Sequence, residues 1–124
     1  MEYVKSEDAQ KHQNSPHCIV YEYVTKNPEI NIGVAEIYGR YPDEGYARNL
    51  KCTEMGYVLK GSGKLVMEDR DVNVAEGDVV LIQPGEKYYW VGNLTLLLPA
   101  TPAWSADQHE QLASKEKFHQ VKLN

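Results

Sequence analysis

The sequence has only two cysteines, Cys18 and Cys52, far apart and in no metal-like spacing, so a disulfide framework does not hold this fold together. Free, partly buried thiols are the plain reading. No stretch approaches the roughly 20 apolar residues of a membrane-spanning helix. The opening MEYVKSEDAQKHQNSP is charged and polar, without the apolar segment of a secretory signal. A cytoplasmic protein with no membrane partner is expected. Lysine and arginine form no cluster and the formal net charge is -5. Nucleic-acid binding depends on cationic side chains that release counterions from phosphates, so no DNA or RNA partner is expected. Histidine is scarce as well: the four lie at 12, 17, 109 and 119, outside every segment with strand character, and no two are spaced to aim at one point. No metal and no cofactor are expected.

What is present is β-like. CIVYEYVT (18–25), INIGVAEIYG (30–39), EMGYVLKG (54–61), KLVME (64–68), DVNVA (71–75), DVVLI (78–82), YYWVG (88–92) and LTLLL (94–98) are rich in β-branched and aromatic residues. Between them stand NPE, YPDEG, GSG, EDRD, EGD and QPGEK, segments with turn chemistry. Strands this closely spaced leave no room for crossover helices, so the sheet is antiparallel and closes as a sandwich or a jelly-roll barrel. A chain of 124 residues makes one domain and buries roughly two-thirds of its unfolded surface. The spacing predicts a flexible arm over 1–16, a barrel over 17–104, and a helix and tail over 105–124, with Ser105 as helix cap and Gln108 closing a capping box. In CIVYEYVT both faces are largely apolar, as in a fully buried strand or one covered by a second subunit, and a homodimer is expected.

TEMGYVLKGSGKL (53–65), followed after a hairpin by EGDVVLIQPGEKYYWVGN (76–93), resembles the two signature motifs of the cupin superfamily. Glu54, Tyr57, Val58, Leu59, Gly61 and Gly63 match the first motif, and Gly77, Asp78 and Gly85 the second. The resemblance spans roughly residues 45 to 98 and implies an all-β, small jelly-roll β-barrel. Within it KGSGK is read as a hairpin turn; a phosphate loop would need glycine where Val58 stands and Ser or Thr where Leu65 stands. The family's metal ligands are two histidines, a glutamate and a third histidine. Here the first two positions hold Arg48 and Leu50, or Ala47 and Asn49 with a spacer one residue longer, and the third holds Tyr88. Glu54 alone remains. A single carboxylate cannot hold a transition metal that wants three or four ligands, which argues against the metal-dependent chemistry of many cupins.

Counting by twos from Glu54 puts Cys52, Leu50, Arg48 and Tyr46 on its face before it and Gly56 and Val58 after it; from Tyr88, Trp90 and Gly92 face inward. The candidate ligand-binding residues are therefore Tyr46, Arg48, Glu54, Tyr88 and Trp90. Tyr88 and Trp90 either line a cavity or fill the barrel as core. Glu54 either pairs with Arg48, which lowers its pKa, or is left desolvated, which raises the pKa and makes a general base. Trp104 lies across the barrel mouth or anchors the expected helix. Two functions follow: a metal-free module binding a small molecule such as a sugar or a carboxylic acid, or a metal-independent sugar isomerase or epimerase with Glu54 as base and Tyr88 as acid.

Overall fold

The computed structural model describes residues 1–112. Nine strands make up these residues: β1 (Gln10–Ser15), β2 (Cys18–Tyr23), β3 (Asn31–Tyr41), β4 (Tyr46–Asn49), β5 (Thr53–Met67), β6 (Asp71–Ala75), β7 (Val79–Ile82), β8 (Tyr88–Thr101) and β9 (His109–Leu112). All pairings are antiparallel. The order β1-β2-β3-β8-β4-β9 forms one path, and β5 joins it through β8 while carrying β6 and β7 on its other edge. β8 is thus the hub, flanked by β3 from Tyr41↔Trp90 to Asn31↔Ala100 and by β5 along its whole length.

The two segments expected on either side of GSG are one strand, β5, and the two on either side of Asn93 are one strand, β8. The KGSGK hairpin is corrected accordingly. The glycines serve a crossing instead of a turn: a Cβ on Gly63 would sit 2.1 Å from the Val91 carbonyl oxygen, and one on Gly61 still closer to that of Asn93. Only hydrogen side chains let two long strands bend through one another's space at this point.

Both ends of the described chain also depart from expectation. The polar run QKHQNS, part of the expected arm, pairs with β2 from Gln10↔Glu22 to Ser15↔Cys18. It is an exposed edge strand held by backbone hydrogen bonds, which needs no apolar alternation. At the far end Ser105 caps nothing; its hydroxyl donates to Asp107, Ala106–Gln108 make a single 3-10 turn, and HEQL then pairs with β4 from Tyr46↔Leu112 to Asn49↔His109. Pairing with an open sheet edge outweighed helix propensity over 105–112; the remainder of the expected helix lies outside the described residues.

Inward side chains of the curled sheet form one core, with Cys18, Ile37, Val58, Ile82, Leu94 and Leu96 at its centre. Fully burying residues of this size contributes about 1.5–3 kcal/mol each. The core does not fill the barrel, and the space left over is the site.

Candidate functional site

A hollow opens between β2, β3 and the inward face of β8. It holds about 640 Å3 of unfilled space, its open mouth included. Cys18, Ala35, Ile37, Leu96 and Trp90 make its apolar wall; Tyr41, Glu54, Tyr88 and His109 bring the polar atoms; Asn14, Glu22, Asn31 and Trp104 also border it.

Three of the five sequence candidates, Glu54, Tyr88 and Trp90, meet here. Trp90 has room because Gly56 stands beside it: a Cβ there would lie 3.3 Å from the indole. Gly92, expected to face inward, belongs to the strand crossing, where a Cβ would come within 2.6 Å of Gly63. Tyr46 and Arg48 are not in the hollow. The short loop between β4 and β5 breaks the count of two, so that Ala47 and Asn49 face inward, both fully buried, and their neighbours face out. Tyr46 packs edge-on against Tyr89, and Arg48 donates to Glu110 at 2.7 Å. Arg48 therefore pairs with Glu110 and does not line the hollow.

Deprived of that partner, Glu54 is desolvated. It is 7 % exposed, and burial pushes its carboxyl up to about 7, with the nearby Asn49 amide offsetting part of the rise. Its titratable surroundings are Tyr41, Cys52 and Tyr88. Burial raises both tyrosines, and pushes the Cys18 thiol to about 12 and Cys52 to about 11. At neutral pH these four stay protonated, and Glu54 is the group poised to change charge.

Sequence reasoning placed His109 in a solvated helix; the structure puts it in the wall. Its Nε2 lies 2.8 Å from the Tyr41 hydroxyl and its Nδ1 2.7 Å from Asn49 Oδ1. Burial pushes the ring down to about 4, so it is neutral near pH 7. Trp104 stands beside it, ring centres 5.3 Å apart, and donates its indole N–H to the same Asn49 oxygen. Asn31 clamps the Trp104 backbone, donating to its carbonyl at 3.0 Å and accepting from its N–H at 2.8 Å. Trp104 thus closes one side of the hollow and, among the described residues, anchors no α-helix. The signal that could have located these residues is the β4–β9 pairing, which a polar HEQL does not advertise.

The donor set does not fit a metal ion. At the positions of the family's histidines stand Ala47, Asn49 and Tyr88, and the thiols are held protonated by burial. Among the described residues no three of His, Cys, Asp or Glu gather at one point. Glu54 and His109 are what remain, and the two nitrogens of His109 are both engaged.

The cupin domain family matches residues 48–97. Among curated protein sequences nothing matches this chain. Among solved structures the chain is similar to Pac13 from Streptomyces, described as a nucleoside dehydratase: TM-score 0.81 at 13 % identity, covering 94 % of this chain and 97 % of that one. KdgF from a Halomonas species aligns at TM-score 0.70 and 12 % identity, covering 86 % and 97 %. The polyketide cyclase RemF from Streptomyces resistomycificus aligns at 0.68 and 17 %, covering 98 % and 93 %. These identities carry the fold and no more. The fold is a small all-β jelly-roll barrel, and the matched segment, which spans its two motif strands, supports the cupin superfamily for this chain.

Proposed function

We propose that the hollow binds a small, uncharged, hydroxyl-bearing molecule without an ion, and that Glu54 moves a proton on it. The observation that carries this reading is a buried carboxyl with a pKa near 7 in a wall of rings. Among the described residues no lysine or arginine lines the hollow, and His109 is neutral. An anionic ligand would be desolvated beside Glu54 with no counter-charge, so the sugar-like ligand is favoured over the carboxylic acid. Trp90 and Tyr88 supply flat apolar faces for a ring, and the polar atoms of Tyr41 and Glu54 meet its hydroxyls.

The chemistry that fits is acid–base. As a carboxylate, Glu54 takes a proton from a carbon beside a carbonyl. As the acid, it returns that proton to a second carbon, which isomerises the substrate, or to a departing hydroxyl, which leaves as water. The structurally similar nucleoside dehydratase is in keeping with the second outcome. Tyr88, fully enclosed and with its pKa raised well above 10, holds its proton firmly and serves as a hydrogen-bond donor.

A homodimer suits the outer surface. Register places Tyr21, Val34, Leu97, Tyr57 and Val79 in one row across five strands, with exposed Met55 and Leu81 beside it. A second copy would cover this face, and sedimentation tests it: a dimer for the native chain and a monomer for Leu81→Glu, against a monomer for both.

Calorimetric titration of chelator-treated protein tests the ligand. Glucose and uridine are each compared with an anionic counterpart, gluconate and uridine monophosphate. A neutral member should bind at least tenfold more tightly than its anion, and Glu54→Gln should weaken it. Tighter binding of the anions, or no binding by any neutral compound, contradicts the reading.

A further inference from the structure

Asn49 is fully buried on β4 and its amide is assigned without ambiguity by its neighbours. The Trp104 indole N–H can only donate, and it lies 3.1 Å from Oδ1. Gln108 is oriented by its own oxygen, which accepts from the backbone N–H groups of Lys51 and Cys52, so its Nε2 also donates to Asn49 Oδ1, at 3.2 Å. The atom facing His109 Nδ1 is therefore an oxygen, which can only accept. His109 must carry its hydrogen on Nδ1, and the bare Nε2 must accept the Tyr41 hydroxyl proton. Gln111 Nε2 donates to the Tyr41 oxygen from the other side, at 3.3 Å. On the opposite side of Asn49, Nδ2 is buried with no hydrogen-bond partner among the described residues, yet the amide is close enough to Glu54 to lower its pKa.

We propose that Asn49 is the positioning residue of this site: its oxygen sets the His109 tautomer and so turns the Tyr41 oxygen into an acceptor, while its amide nitrogen waits for the ionised Glu54 carboxylate. One side chain then couples both polar arms of the hollow. Ionised, Glu54 offers Nδ2 a stronger, charge-assisted acceptor than its protonated form does. Tyr41, its proton committed to His109, receives a hydrogen bond from a ligand hydroxyl and does not give one. This inference rests on the reading of the hollow as a site for a neutral hydroxyl compound, but its test needs no ligand, so the two fail separately.

The groups around the pair are few. Glu54 is faced by Cys52 beside it on the chain, by Tyr41 from β3 and by Tyr88 from β8. His109 is faced by Tyr41, Trp104 and Asn49. None of these neighbours carries a charge at pH 7 when Glu54 is protonated.

Nitrogen-15 imidazole spectra and carboxyl carbon-13 titrations on the full chain read the two halves, with His109→Gln and Glu54→Gln giving the assignments. The native protein should show His109 with hydrogen on Nδ1 at pH 7. Asn49→Ala should mix the two tautomers and raise the Glu54 midpoint by roughly one pH unit. Asn49→Asp should keep the tautomer, since a carboxylate also accepts from Nδ1, but should raise Glu54 further than alanine does, having lost the amide donor and gained a like charge. If Asn49 only filled space, the alanine variant would move neither signal. Should the alanine variant not fold, the native spectrum and the aspartate variant decide. Hydrogen on Nε2 in the native ring, or a Glu54 midpoint unchanged in the aspartate variant, overturns the proposal.

Discussion

Replacing Glu54 with glutamine should change how stability depends on pH. The folded-state pKa is about 7 against 4.5 for the free side chain, a gap of about 2.5 units. At 1.36 kcal/mol per unit the gap is worth about 3 kcal/mol. The sign follows from proton binding: between pH 4.5 and 7 the folded chain holds the Glu54 proton and the unfolded chain has released it. Stability is fully present below 4.5 and is lost as pH rises through 7. His109 works the other way, because its pKa falls from 6.5 to about 4 on folding. Its contribution is present above 6.5 and is lost as pH falls toward 4. Over pH 4.5 to 6.5 the two slopes oppose, so the native protein alone would show little. The difference between Glu54→Gln and native protein isolates the carboxyl. Urea unfolding at half-unit steps from pH 4 to 8 should show the variant gaining about 3 kcal/mol relative to native protein as pH rises. Parallel curves across that range would refute the buried, unpaired carboxyl.

Gly63→Ala should cost about 3 kcal/mol or more, because the new Cβ meets the Val91 carbonyl oxygen at 2.1 Å, a clash that backbone cannot relieve cheaply. Gly85→Ala, with open space around it but φ of 85°, should cost only about 1 kcal/mol; thermal unfolding of the pair separates crowding from backbone strain. Leu96→Ala, fully buried beside the hollow, should lose about 2–5 kcal/mol in urea denaturation. Arg48→Ala breaks a partly exposed ion pair and should cost about 0.5 kcal/mol while leaving calorimetric ligand affinity unchanged.

The barrel was legible because strand character is local: β-branched and aromatic runs between turn residues mark β2, β3, β6 and β7 directly. The family motifs then located Glu54 and Tyr88 on their strands. Two kinds of information were not local. Glycine in GSG reads as a turn from its neighbours alone, and only the partner strand β8, some thirty residues away, reveals that a Cβ has no room there. Polar edge strands such as QKHQNS and HEQL owe their conformation to the backbone they pair with, so their side chains say nothing of it. The second gap mattered for the site. Without β9 there is no His109 beside Tyr41, and the inward pair on β4 was miscounted because the loop at 50–52 does not keep the strand period.

Native mass spectrometry on protein purified without chelator addresses the ion-free hollow most directly, for the native chain and Glu54→Gln side by side. The account predicts no bound transition metal in either and, where a metabolite is retained, a neutral one that the variant holds less well. A stoichiometric transition metal on the native chain, lost in the variant, would contradict it.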